Sequence, residues 1–139
     1  MQDIREITPT AVHAQIEALS GLLRDAVDSG ASVGFVWPLE EAEVHRYWRG
    51  VVSAMNDRSR RLFAAFADGQ LVGSVQLDLA IKANARHRAE VQKLLVHRQA
   101  RRRGIARALM MRIEDLALSL GRTLLVIDVR VDDPAAAAL

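Results

Sequence analysis

The chain has 139 residues, half of them hydrophobic, with 19 lysine and arginine side chains against 17 aspartate and glutamate, a formal net charge of +2 and no cysteine. That length predicts a single domain over residues 1–139, and the lack of cysteine excludes both a disulfide framework and a thiol nucleophile. No apolar run approaches the length of a membrane span and no charged-then-apolar leader opens the chain, so the expectation is a cytoplasmic protein with no membrane partner.

Thr8-Pro9 reads as a helix start, with threonine as cap and proline in the first turn. Val12, Ile16, Leu19, Leu23 and Val27 then follow at helical spacing, and the helix is expected to stop near Ser29-Gly30. Residues 31–38 read as a loop or short extended stretch leading into a second helical pattern from Leu39 to about Met55, with Trp48 and Val52 on its buried side. Residues 61–66 and 71–77 are apolar enough for strands, and between them Ala67-Asp68-Gly69-Gln70 is an Asp-Gly hairpin signal. A polar connection from Lys82 to His87 leads to Val91-Gln92-Lys93-Leu94-Leu95-Val96, a buried strand by composition. The period then changes: Ile105, Leu109, Ile113, Leu116 and Leu120 lie on one face of a helix, and residues 124–129 supply a last strand. This order predicts an α/β fold with a mixed sheet flanked by helices.

Charge is concentrated between strand and helix. Lys82 to Arg107 hold nine basic residues against one acid, Glu90. Since 17 of the 19 basic residues in the chain are arginine, the preference for that side chain is general, but its clustering is local. Gly104 sits at the joint before the helix, where backbone N–H groups lack intrahelical partners and the helix end carries partial positive charge. Gly104 and Ala106 leave the approach open, and Arg101, Arg102, Arg103 and Arg107 add full charges. The arrangement predicts a site for a polyphosphate.

Arg101-Arg102-Arg103-Gly104-Ile105-Ala106, after a strand ending Leu94-Leu95-Val96, resembles the [Gln/Arg]-x-x-Gly-x-[Gly/Ala] signature of the GCN5-related N-acetyltransferases (GNAT). Arg98 stands where that family commonly has proline. Gly30-Ala31-Ser32-Val33-Gly34-Phe35 and residues 88–94 are similar to the tabtoxin-resistance type, with the likeness running from about residue 10 to about residue 130. The resemblance implies acetyl-coenzyme A as acetyl donor, with its pyrophosphate on the loop, including Ile105, and its pantetheine arm along Leu94, Leu95 and Val96. It also implies a GNAT-like sheet lacking the usual last helix and two strands: the family continues past this point, and its next helix usually carries a tyrosine general acid. Asp132-Asp133-Pro134 and the following alanines look like the start of that helix. Either the natural chain is longer or another subunit supplies the missing edge; in both cases the strand ending at Val129 is expected to have an unpaired edge, a route to a homodimer.

The chemistry of acetyl transfer asks for a base, because an ammonium must lose a proton before its nitrogen attacks a thioester. Glu90 and Gln92 lie two apart on a strand and share a face, while Asp128 interrupts an apolar strand; these three are the catalytic candidates, Gln92 as an orienting group only. A carboxylate among apolar neighbours has its charged form disfavoured, which moves its pKa toward a useful range. Each carboxylate serves equally well as an ordinary structural hydrogen-bonding group. Trp37 is the candidate at the acceptor pocket by resemblance. The histidines show no metal spacing, so no metal is expected. Gly30-Ala31-Ser32-Val33-Gly34 matches a nucleophile elbow literally, but a helix precedes it where that motif needs a strand. The reading that results is an N-acetyltransferase acting on a small-molecule amine, a toxin or an antibiotic among the candidates. The alternatives are an inactive acetyl-coenzyme A-binding module and a basic nucleic-acid-binding domain; an aromatic content of 4%, with none interleaved in the basic run, disfavours the latter.

Overall fold

The computed structural model describes residues 2–29, 39–79 and 87–127. Its elements are β1 (Gln2–Glu6), α1 (Pro9–Ala14), α2 (Ile16–Asp28), α3 (Glu41–Asn56), β2 (Arg60–Ala67), β3 (Gln70–Asp78), β4 (Arg88–Val96), a 3-10 turn (Arg98–Ala100), α4 (Ile105–Ser119) and β5 (Leu124–Ile127). The five strands form one mixed sheet in the order β1-β2-β3-β4-β5, antiparallel up to β4 and parallel between β4 and β5. The expected α/β class therefore holds.

Local chemistry explains most boundaries. Thr8 caps α1, its hydroxyl accepting the Ala11 N–H at 3.2 Å, and Pro9 sits in the first turn where no donor is needed. The expected single first helix is two helices: the chain breaks at Gln15, and α2 begins at Ile16. Asp68 and Gly69 both take left-handed φ, 52° and 81°, as the two-residue β2–β3 hairpin requires. β1 was not legible from composition: only Ile4 of its five residues is even half-buried, so no apolar alternation marks it.

Two cores lie on the two faces of the sheet. One face packs Leu62, Ala64, Phe66 and Leu95 against α1, α2 and α3 through Val12, Leu19, Leu23, Val44 and a fully buried Trp48. The other packs Phe63, Val75, Leu77, Val91, Leu94 and Val96 against Ile105, Leu109 and Ile113 of α4. Alternation would place Val91, Lys93 and Leu95 on one face. Instead Val91, Leu94 and Val96 share the α4 face, because a bulge at Lys93, with φ 52°, shifts the phase by one residue.

Candidate functional site at the end of the fourth strand

The bulge determines what the end of β4 presents. Before it, Glu90 is opposite Asp78 and Gln92 is opposite Gln76; after it, Leu95 is opposite Ser74 and Val96 opposite Gly73. The described parallel pairing with β5 spans only Arg88↔Leu124 to Val91↔Ile127, while β4 runs on to Val96. Leu94, Leu95 and Val96 thus lie beyond that described pairing and lead into the basic loop.

The loop is built as the sequence suggested. His97 N–H donates to the Val72 carbonyl at 2.8 Å, the 3-10 turn follows, and Gly104 enters α4 with φ 77°. Among the described residues no side chain caps the helix, which leaves the N–H groups of its first turn without a side-chain acceptor there, and a β-carbon built on Gly104 would meet nothing within 4 Å. Arg102 and Arg103 are exposed, as is Arg107 in the first turn of α4. Arg101 is turned back, its Nε donating to the Val96 carbonyl at 3.3 Å. Ile105 and Ala106 are buried, so their side chains serve the core while their backbone begins the helix. Beside the loop, a cleft of about 370 Å³ is lined by Gln70, His97, Gln99 and Arg103 among others. The donor set fits an anionic, phosphate-bearing group: uncapped N–H groups, an open glycine and exposed guanidinium groups.

The catalytic candidates are distributed differently. Glu90 is exposed, so the apolar surroundings assumed for its carboxylate are not those it has. Gln92 is half-buried and donates from Nε2 to Asp78 Oδ2 at 3.1 Å. Asp128 and Trp37 lie outside the described residues, as do Gly30 to Gly34.

Sequence reasoning missed the polar network that Gln92 joins. Gln76, with no exposed surface, accepts from Arg60 Nη1 at 2.6 Å and donates to the Tyr47 hydroxyl at 2.8 Å; Arg60 Nη2 also reaches Asp78 Oδ2 at 3.4 Å. The Lys93 ammonium stands 5.9 Å from the Tyr47 ring centroid. Burial pushes the Tyr47 phenol above its ordinary value, opposed more weakly by the Gln76 hydrogen bond and the Arg60 charge. These partners come from α3, β2, β3 and β4, and no local sequence signal links them.

The fold is thus an α/β sheet with a core on each face, whose bulged fourth strand feeds an arginine-rich helix start. The chain belongs to the acetyltransferase (GNAT) family, whose model matches residues 19–139. It is 35% identical over 108 residues to an uncharacterized N-acetyltransferase from the hisH-hisA intergenic region of Azospirillum brasilense. That match covers 76% of this chain and 62% of the relative, so the chain spans less than two thirds of the relative's length. Among solved structures, an aminoglycoside acetyltransferase from an uncultured soil metagenomic sample is similar with a TM-score of 0.73, at 22% identity over 99% of this chain and 87% of that one. The PaiA N-acetyltransferase of Thermoplasma acidophilum, in complex with coenzyme A, gives a TM-score of 0.67 at 15% identity over 99% and 84%. At such identities the likeness establishes the fold. Among the described residues no helix is long and apolar enough to cross a membrane.

Proposed function

We propose that this chain is an acetyl-coenzyme A-dependent N-acetyltransferase that acts on the amine of a small molecule. The observation that carries the reading is the uncapped start of α4 behind Gly104, with Arg102, Arg103 and Arg107 exposed around it. The cofactor would supply an acetyl group activated as a thioester. Gly104, Ile105 and Ala106 would hold its phosphates by main-chain N–H groups, the exposed arginines would add charge, and the main chain of Leu94, Leu95 and Val96 would align its arm. The transfer would join the amine nitrogen to the acetyl carbon as the carbon–sulfur bond breaks; one proton would leave the ammonium to a base or water before attack, and coenzyme A would depart as a thiolate that takes up the second proton lost from nitrogen.

The chain's largest contribution would be positioning, which is worth about 7–11 kcal/mol when two reactants are held in line. A main-chain N–H of Leu95 or Val96 aimed at the carbonyl oxygen would add about 3–4 kcal/mol. Glu90 and Asp128 are the candidate bases, directly or through water. Exposed Glu90 suits the water-mediated form, and Gln92 orients. Trp37 would border the acceptor pocket. A toxin or antibiotic acceptor of the tabtoxin-resistance type, a cytoplasmic location and a homodimer through the β5 edge complete the reading, which requires neither a metal nor a nucleic acid.

Calorimetry with acetyl-coenzyme A at several salt concentrations tests it. One-to-one saturable binding is expected, with modest weakening as salt rises. A folded chain that ignores the cofactor but binds duplex DNA, with affinity falling steeply in salt, would replace this reading with the nucleic-acid one.

A further inference from the structure

The loop's first arginine is engaged elsewhere. Asp25, in the last turn of α2, has 8% of its surface exposed, and groups of the loop converge on it from 73 positions away. The Arg98 N–H donates to Asp25 Oδ2 at 2.9 Å, Arg98 Nε donates to Oδ1 at 2.6 Å, and Arg98 Nη2 reaches the Asp25 carbonyl at 3.4 Å. His97 Nε2 lies 3.6 Å from Oδ1. His97 Nδ1 accepts the Gln99 N–H at 3.1 Å, so the neutral ring carries its proton on Nε2, toward Asp25. The guanidinium also meets the C-terminal end of α2, where a cation is favoured.

A buried carboxylate is tolerated when it is paired and hydrogen-bonded, and here its partners are a backbone N–H and two side chains of one short segment. We propose that Asp25 is a positioning residue for cofactor binding. It fixes the chain where it leaves β4, so that Gly104 and the start of α4, six residues beyond Arg98, present their N–H groups in one arrangement. Arg98 is then a structural cation, and Arg102, Arg103 and Arg107 remain the loop's charges for phosphate. The inference rests on the reading of this loop as the phosphate site.

Two effects of Asp25 oppose each other. Its negative charge lowers the positive potential of the loop, whereas its hydrogen bonds hold the loop in place. Asp25→Asn removes the charge and keeps an acceptor; Asp25→Ala removes both. The test is the affinity of the full chain and its variants for acetyl-coenzyme A by calorimetry, and for S-acetyl-pantetheine, the same thioester without the pyrophosphate, by NMR titration. Asp25→Ala is expected to weaken acetyl-coenzyme A about tenfold, the effect of about 1.4 kcal/mol, with Asp25→Asn intermediate and S-acetyl-pantetheine unaffected. Should Asp25→Ala fail to fold, the double variant Asp25→Leu with Arg98→Leu removes the clamp without stranding a charge. Equal losses for both ligands, or unchanged or tighter acetyl-coenzyme A binding in a folded variant, would overturn the clamp alone. A wild-type chain that does not bind acetyl-coenzyme A would overturn the loop assignment and this inference with it.

Discussion

Gly73 lies so close under the first turn of α4 that a β-carbon there would stand 3.1 Å from Ile105 Cγ2. The same atom would be 3.1 Å from the Leu95 carbonyl oxygen and 3.3 Å from Leu109 Cδ1. Because Gly73 is the register partner of Val96, this contact sets how near the helix start sits to the end of β4. The backbone oxygen cannot swing aside as a flexible side chain would. Gly73→Ala is expected to destabilise the fold by about 1–3 kcal/mol, as overpacking does, with a lower denaturant midpoint. It should also weaken acetyl-coenzyme A binding, since relief comes by moving α4 away.

Gly104 poses the opposite case: space is open around it and the backbone is the constraint. Its φ of 77° costs a residue with a side chain about 1–2 kcal/mol. Gly104→Val is expected to leave a folded protein that no longer binds the cofactor, because a branched β-carbon both resists this conformation and covers the N–H groups. Gly104→Asn, which tolerates left-handed backbone, should retain more affinity. Normal binding by the valine variant in calorimetry would sink the loop assignment.

The two glycines differ in how well sequence announced them. Gly104 stood between a change of hydrophobic period and a run of arginines, so its place at the start of α4 followed from its neighbours. Gly73 lies within an apolar strand, and its close approach to α4 is a relation between segments that only packing reveals. The hairpin was legible because Asp68-Gly69 meets a local backbone demand. β1 was not, because a strand that among the described residues pairs with β2 alone needs no apolar alternation. The break at Gln15 was hidden by apolar spacing that continues across it. At the candidate site, the basic loop was readable as strand, basic run, glycine and helix. The partners of Arg98 and Gln92 were not, since Asp25 and Asp78 reach them through the tertiary fold.

Tyr47 is the chain's single tyrosine, so its titration can be followed without overlap by ultraviolet difference spectroscopy. Burial raises its pKa in the folded protein above the ordinary value of 10.0. The folded state therefore holds the phenolic proton more tightly than the unfolded state. Stability from this group is fully present below pH 10.0 and declines as pH rises from there through the folded-state pKa. The native protein should show its phenolate absorbance at higher pH than the urea-unfolded chain; a titration at or below the unfolded one would contradict the burial.

Removing the Tyr47 hydroxyl tests the network beneath α3. Tyr47→Phe leaves Gln76 Nε2, on a side chain with no exposed surface, without the acceptor it has at 2.8 Å. A buried donor left unsatisfied costs about 1–3 kcal/mol. Urea unfolding should register that loss with little change in slope. Gln76→Leu, which removes donor and acceptor together, strands Arg60 Nη1 instead and should cost at least as much.

The bulge at Lys93 sets the phase of the last residues of β4. Its φ of 52° is a conformation that costs an ordinary residue about 1–2 kcal/mol, yet it brings Leu94 and Val96 onto the α4 face in phase with Val91. Lys93→Gly should relieve backbone strain while losing the side chain's place over Tyr47, leaving stability changed by less than about 1 kcal/mol and cofactor affinity intact. Lys93→Ile adds a branched β-carbon that disfavours the bulge and presses β4 toward regular alternation. That would turn Leu94 and Val96 out of their core and reorient the main chain ahead of the loop. The isoleucine variant is therefore expected to lose stability by about 2 kcal/mol or more and to bind acetyl-coenzyme A at least tenfold more weakly, measured by denaturation and calorimetry on the same samples. Equal behaviour of the glycine and isoleucine variants would show that the conformation at this position does not govern the strand's end.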